Sequence, residues 1–261
     1  MDVTQSTLIL SFVQSATEFL PVSSSGHLVL MEKFGFSNQS LLMDISLHVG
    51  TLLAVCAFFS KDIYRLMIGF WHKGIEQKIG FALIISTIPA LIVGYFLNDI
   101  IETVLRSPFI IAGTSVFYGI LLWVADRFFP ATKTVEQITY KHALYIGLAQ
   151  ALALIPGTSR SGVTMTCARF LGYQRTQSAK YSMLMSVPVI ALGAIYMFYK
   201  GFTQGTLSTD MLNQIGIGMV ASACFGLLAV WFLMKWLQRA SFGLFAVYRI
   251  MLGLFLFYYF W

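Results

Sequence analysis

Long uninterrupted apolar runs, not short alternating ones, set the pattern of this chain. They cover about 41–59, 79–97, 108–125, 181–199, 213–234 and 242–261. Each is roughly 18–22 residues, the helical length that crosses about 30 Å of hydrocarbon. The ten-residue alternation of a membrane β-barrel does not occur. Two further apolar segments are broken. Segment 7–36 is interrupted by Pro21-Val22-Ser23-Ser24-Ser25-Gly26-His27, and segment 142–171 by Pro156-Gly157-Thr158-Ser159-Arg160-Ser161-Gly162. Helix, polar break and second short helix read as a re-entrant hairpin. Such backbone survives at membrane depth only where protein or a water-filled cavity surrounds it. The pattern predicts an all-α polytopic membrane protein, with six transmembrane helices plus two re-entrant helical hairpins. All of it forms one integral membrane domain over 1–261.

Composition agrees. Of 261 residues, 57% are hydrophobic and 11% charged, against about 25% charged in soluble domains. The mean hydropathy is +0.76. A water-soluble chain of this length has no core large enough for so many apolar side chains. Disorder, collagen and disulfide scaffolds are excluded on the same grounds. Cys56, Cys167 and Cys224 lie far apart in apolar stretches and read as packing residues. The N-terminus does not read as a cleavable signal: it lacks a basic region, and Glu18 follows the short apolar run Leu8–Val13.

The formal charge of +6 could suggest a nucleic-acid partner, but the positions of the charges point to a membrane instead. Loop 60–78 holds Lys61, Arg65, Lys73 and Lys78, and loop 126–141 holds Arg127, Lys133 and Lys141. Segment 169–180 holds Arg169, Arg175 and Lys180, and loop 235–241 holds Lys235 and Arg239. The connections 32–40, 98–107 and 200–212 hold only Lys33, Arg106 and Lys200. Six spans with both broken segments re-entrant put the first twelve on one side, the cytoplasmic one. Both termini then lie outside. The same count exposes an inverted-topology repeat: 1–130 and 138–261 each read as a broken hairpin followed by three spans. Gln14 precedes Pro21 as Gln150 precedes Pro156, and both breaks carry Pro, Ser and Gly. Chance similarity is the rival explanation. Such repeats recur where polar substrates are handled inside a bilayer.

Charges at membrane depth need a reason. Outside the loops stand Glu18, Asp44, Arg160 and Arg249, with His27 and His48 as titratable neighbours. Gln14 and Glu18 share a helix face that ends at Pro21. Ser23, Ser24 and Ser25 then offer hydroxyls and free N–H groups, and a helix restarts near Ser25 with His27 in its first turn. In the second break Ser159, Arg160 and Ser161 lead into a helix, with Gly162 allowing close backbone approach. Two helix N-termini and a guanidinium suit a phosphate or diphosphate. The plain alternative is an Arg160–Glu18 ion pair tying the hairpins together. Asp44 and His48, four apart, read as a polar stripe in a cavity floor. Arg249 reads as paired with a carbonyl or acid and not catalytic, and His72 and His142 as solvated. The aromatics of 108–125 and 242–261 read as lipid-facing surface and interfacial belt.

Gln14-Ser-Ala-Thr-Glu18-Phe-Leu-Pro-Val-Ser-Ser-Ser-Gly-His27 resembles the signature of the undecaprenyl-diphosphate phosphatase family, also known for bacitracin resistance. Residues 156–162 match its Pro-Gly-x-Ser-Arg-Ser-Gly segment, and His48-Val-Gly-Thr-Leu-Leu-Ala-Val55 its third recognisable stretch. The resemblance extends over essentially the whole chain. Position 14 is Gln where many relatives have Glu. The resemblance implies removal of the terminal phosphate from a C55 polyprenyl diphosphate, which recycles the lipid carrier for peptidoglycan synthesis and confers bacitracin resistance. It implies a bacterial cell membrane location and a divalent cation, Mg²⁺ or Ca²⁺. It carries catalytic roles to Glu18, Ser24, His27 and Arg160, with Gln14, Ser23, Ser25, Gly26, Ser159, Ser161 and Gly162 binding substrate. Glu18 and Gln14 are the candidate metal ligands.

From the residue types, Ser24 activated by His27 is the preferred nucleophile, and direct attack by His27 the alternative. Glu18 would orient His27 or ligate the metal. A polyprenyl-phosphate transporter or flippase is the rival function, since broken-helix repeats are transporter architecture. A channel or structural membrane protein is the second rival. Transport needs a binding site but not a Ser/His pair beside Arg and Glu. Water would reach the phosphorus from outside, along the hairpin that carries Glu18, Ser24 and His27. The sequence sets no oligomeric state.

Overall fold

The computed structural model describes residues 3–33, 41–103, 105, 107–203 and 209–261. Among them are eleven α-helices: α1 (Val3–Phe19), α2 (Ser24–Lys33), α3 (Leu41–Phe58), α4 (Ser60–Gly69), α5 (Ile75–Thr103), α6 (Pro108–Phe128), α7 (Tyr140–Leu152), α8 (Arg160–Phe170), α9 (Arg175–Thr203), α10 (Thr209–Leu237) and α11 (Gly243–Phe260). One 3-10 turn, Val135–Gln137, and an isolated bridge between Lys133 and Tyr173 complete the described secondary structure. Five stretches are long and apolar enough to cross a membrane: Ile75–Leu97, Pro108–Phe128, Arg175–Ile195, Asn213–Leu237 and Gly243–Phe260. A shorter apolar stretch, Ser46–Phe58, lies in α3. The protein is a helical, multi-pass membrane protein.

Its outer surface is apolar, as a bilayer-facing surface must be. Ile92 and Tyr95 on α5, Val220 and Leu228 on α10, and Met251 and Leu254 on α11 all point outward. In lipid, apolar burial does not drive helices together, so packing and interhelical hydrogen bonds must. On α1, Ser11 Oγ and Ser15 Oγ donate to Gly218 O and Ser222 O of α10, at 3.4 and 3.1 Å. On α7, Gln150 Nε2 donates to Ser86 O of α5 at 3.2 Å, in the turn loosened by Pro89. α1 therefore lies against α10 as α7 lies against α5, while α6 packs along α11 and α3 against α9.

Two sequence expectations change here. Residues 60–78 are not a plain loop. Ser60–Gly69 is an amphipathic helix without a buried residue, and Tyr64, Met67, Ile68 and Trp71 stand exposed. That is the form of a helix lying along a membrane surface. Arg169 is not a loop charge either. It ends α8, is 1% exposed, and donates from Nε to Asp126 Oδ1 at 3.1 Å and from its terminal nitrogens to the carbonyls of Pro130, Phe129 and Tyr173. Asp126 also accepts from Arg175 Nε at 2.7 Å and from the Phe242 backbone N–H at 2.9 Å. One carboxylate thus ties together the end of α6, the turn after α8 and the start of α11. Lys180 on α9 pairs with Asp62 on α4 at 2.7 Å. All four basic segments meet at one end of the bundle.

Candidate active site

Both predicted breaks form, and they share a backbone device. After α1, Leu20, Pro21 and Val22 turn the chain, and Ser23 adopts a φ of 72° before α2 begins at Ser24. After α7, Ser159 adopts a φ of 66° before α8 begins at Arg160. Positive φ at a non-glycine residue costs about 1–3 kcal/mol, and such residues cluster at functional sites. Ser159 recovers part of that cost as a helix cap: the Gly162 N–H donates to its Oγ at 3.1 Å. Gly157, at φ 89°, sits where a Cβ would stand 2.6 Å from Ile111 O of α6. The second break is therefore pressed against α6, where Thr114 Oγ1 donates to Pro156 O at 2.8 Å.

The breaks meet each other. Ser161 Oγ donates to Leu20 O at 3.1 Å, and Arg160 Nη2 donates to Glu18 Oε1 at 2.7 Å, with the two side chains only 16% and 10% exposed. The ion pair that was the plain alternative therefore exists, yet it does not use up the guanidinium. Arg160 Nη1 is buried and has no hydrogen-bond partner among the described residues. A buried cationic donor left open is costly unless a ligand takes it. The other Glu18 oxygen accepts from Gln14 Nε2 at 3.3 Å, and that same amide nitrogen lies 3.5 Å from His48 Nε2. His48 thus belongs to this cluster and not to a separate cavity floor. The side chains of Ser25 and Asp44 lie outside the described residues.

His27 stands in the first turn of α2, as expected. Its Nδ1 is 2.8 Å from Ser23 O and its Nε2 is 2.6 Å from the Tyr248 hydroxyl. With both ring nitrogens engaged, the Ser24–His27 pair expected from their three-residue spacing is not made in this conformation. Ser24 is half-buried beside it, while Gly26 is buried and faces Leu252 of α11. Arg249 is fully buried and its Nη2 donates to Gly157 O and Thr158 O at 3.0 and 2.7 Å. It holds the second break from behind, on carbonyls, as its position in the last span suggested. Gly162 leaves the space its guanidinium fills. His142 is not simply solvated: its Nδ1 lies 2.9 Å from the Tyr173 hydroxyl. An open apolar groove of about 380 Å³ between α4, α5 and α9 shares no residue with the Glu18–Arg160 cluster.

A cation fits this donor set in one way. Among the described residues no three His, Cys, Asp or Glu side chains gather into a metal cage. Mg²⁺, however, is commonly held by one or two carboxylates plus substrate phosphates; Glu18 is the carboxylate here, and a cation on it would displace Arg160 Nη2 or Gln14 Nε2 from one of its oxygens.

The meeting of the two breaks at Glu18, Arg160 and Ser161 is joined here by a sequence match over nearly the whole chain. The family described as bacitracin resistance protein BacA matches residues 7–255. The chain belongs to that family. An undecaprenyl-diphosphatase of Desulforudis audaxviator is 43% identical over 251 residues, covering 95% of this chain and 94% of that protein. One from Teredinibacter turnerae is 43% identical over 259 residues, at 96% and 97% coverage. One from Hahella chejuensis is 42% identical over 254 residues, at 94% of each. The family match runs through both breaks and into α11, as far as residue 255.

Proposed function

We infer that this protein hydrolyses undecaprenyl diphosphate to undecaprenyl phosphate and inorganic phosphate. The observation that carries the reading is the open Nη1 of Arg160, a buried cationic donor at the start of α8 and beside Glu18. It is supported by curated undecaprenyl-diphosphatases more than 40% identical over nearly their full length.

The terminal phosphate takes its place against Arg160 Nη1 and the free N–H groups at the starts of α2 and α8. A nucleophile attacks the terminal phosphorus. The bridging P–O bond breaks, and the lipid monophosphate leaves with the bridging oxygen. Water then cleaves the phosphoenzyme bond and restores the nucleophile. Ser24 remains the preferred nucleophile, passing its proton to His27, and attack by His27 Nε2 is the alternative. Glu18 and Gln14 would hold a divalent cation, which supplies charge neutralisation on the diphosphate. Glu18 meanwhile orients the Arg160 fork.

We further propose six spans plus two re-entrant hairpins, related as inverted repeats. Three observations support this. Ser23 and Ser159, both at positive φ, each stand nine residues after a buried glutamine, Gln14 or Gln150. The packing of α1 on α10 mirrors that of α7 on α5. The four basic segments gather at one end of the bundle, the cytoplasmic one by charge. The first hairpin then opens to the exterior, and the diphosphate enters sideways from the outer leaflet.

The test is phosphate release from undecaprenyl diphosphate by purified protein, with and without a chelator. Release that stops with chelation and returns with Mg²⁺ or Ca²⁺ supports the reading. No release at any metal concentration overturns it. Acid quench of a labelled substrate separates the nucleophiles, since phosphoserine survives acid and phosphohistidine does not.

A further inference from the structure

We propose that Tyr248 is a positioning residue for His27, fixing where its basic ring nitrogen points. The inference rests on the reading above that His27 serves the hydrolysis. His27 Nδ1 lies 2.8 Å from Ser23 O. A carbonyl only accepts, so Nδ1 carries the proton. The lone pair of the neutral imidazole is then on Nε2, and the Tyr248 hydroxyl, 2.6 Å away, must be the donor to it. The two rings lie nearly parallel, 7° apart with centroids at 5.7 Å. A strained serine carbonyl holds one edge of the imidazole and a tyrosine hydroxyl the other, so the ring cannot flip without breaking both bonds.

The sequence hid this contact. Tyr248 lies 221 residues from His27 and sits among the aromatics of the last span, which read as lipid-facing. It is indeed 44% exposed. Yet its neighbours on α11 fix its direction. Phe245, Ala246 and Arg249 are buried, and Arg249 grips the second break through Gly157 O and Thr158 O. One turn of α11 therefore holds both halves of the site: Arg249 the hairpin that presents Arg160, Tyr248 the imidazole of the other. Whether Nε2 takes the Ser24 proton or attacks phosphorus itself, it is the nitrogen that must be free of its own proton. The Ser23 carbonyl selects that tautomer, and the Tyr248 hydroxyl keeps the ring at that angle, turning from donor to acceptor when Nε2 is protonated.

Tyr248→Phe keeps the ring and removes the hydroxyl. Its kcat for undecaprenyl diphosphate should fall about tenfold, the order of one hydrogen bond to a reacting group, with KM within about twofold. Diethyl pyrocarbonate acylates an unprotonated imidazole nitrogen. Peptide mass spectrometry of the unliganded protein should show His27 modified several-fold faster in the variant, with His48, His72 and His142 unchanged as internal controls of folding. A kcat within twofold of wild type, a change carried by KM alone, or an unaltered rate of His27 modification overturns the proposal. Wild-type protein that releases no phosphate would instead refute the functional reading, while the labelling result would still report on the Tyr248–His27 bond.

Discussion

Substituting Arg160 separates what its guanidinium does for the fold from what it does for the reaction. Nη2 is committed to Glu18 Oε1 at 2.7 Å, while Nη1 is buried and open. Arg160→Ala removes both. Glu18, only 10% exposed, then keeps Gln14 as a donor but loses its cation. Removing one partner of a buried pair costs about 3–5 kcal/mol, so the variant should melt several degrees lower. The terminal phosphate loses its cationic donor as well. Losing one pre-organised donor costs about 10²–10³ in rate, and losing the charge with it places Arg160→Ala beyond the upper end of that range. Arg160→Lys is the informative variant. Its single nitrogen has three donors but one position, so it cannot stand where both Nη1 and Nη2 of the planar fork stand, one on the phosphate and one on Glu18. It should regain most of the melting temperature and little of the kcat. The assays are thermal unfolding in detergent and phosphate release under saturating substrate, run on both variants. A lysine enzyme within about threefold of wild-type kcat would refute the two-partner reading. So would an alanine variant that melts with the wild type, since Glu18 would then not depend on Arg160 at all.

Other parts of the molecule yield sharper stability and topology tests. Asp126→Asn should lower the melting temperature by several degrees, because it strands the buried Arg169 and loosens Arg175. Its kcat at low temperature should stay within about threefold of wild type, as the hub lies at the other end of α8 from Arg160. In a background with Cys56, Cys167 and Cys224 replaced, a cysteine at His72 or Ala131 should escape impermeant thiol reagents in intact cells. Cysteines within 98–107 or 200–212 should be labelled, and the reverse pattern would invert the proposed orientation.

How much of this was legible beforehand follows from what each residue answers to. Apolar length is a local property, so the long helices fall close to their expected places: Pro108–Phe128 against 108–125, Gly243–Phe260 against 242–261. The breaks were legible because Pro, Ser and Gly interrupt a run that lipid would otherwise keep helical. Arg169 was misplaced because the chain does turn just beyond it, at Leu171-Gly172, and sequence cannot see that carbonyls from the far end of α6 close around it. α4 was missed because eight of its ten residues mix charge with large apolar groups, a pattern shared by surface helices and loops. His48 and Tyr248 entered the site through contacts 34 and 221 residues long in sequence, which no periodicity encodes. The positive φ at Ser23 and Ser159 is likewise set by the tertiary fit of each break and not by residue type.

That matched backbone also explains why the two breaks differ in side chains. Under the proposed repeat, counting from Ser23 and Ser159 pairs Ser24 with Arg160, Gly26 with Gly162, and His27 with Val163. The small residue is kept where both helices need close approach: Gly26 faces Leu252 and Gly162 faces Arg249, both of α11. The first residue of each restarted helix diverges. Phosphoryl transfer needs a nucleophile on one side of the phosphorus and a cation on the other. Two serines facing each other would leave the diphosphate charge unneutralised, and two arginines would leave nothing to attack. His27 likewise needs a hydroxyl and a carbonyl beside it, whereas Val163 is 4% exposed and simply packs. On the proposed reading, symmetry would supply two anion-binding helix starts from one backbone design. Chemistry then requires that symmetry be broken at the positions closest to the reacting atom, which is where these two halves part.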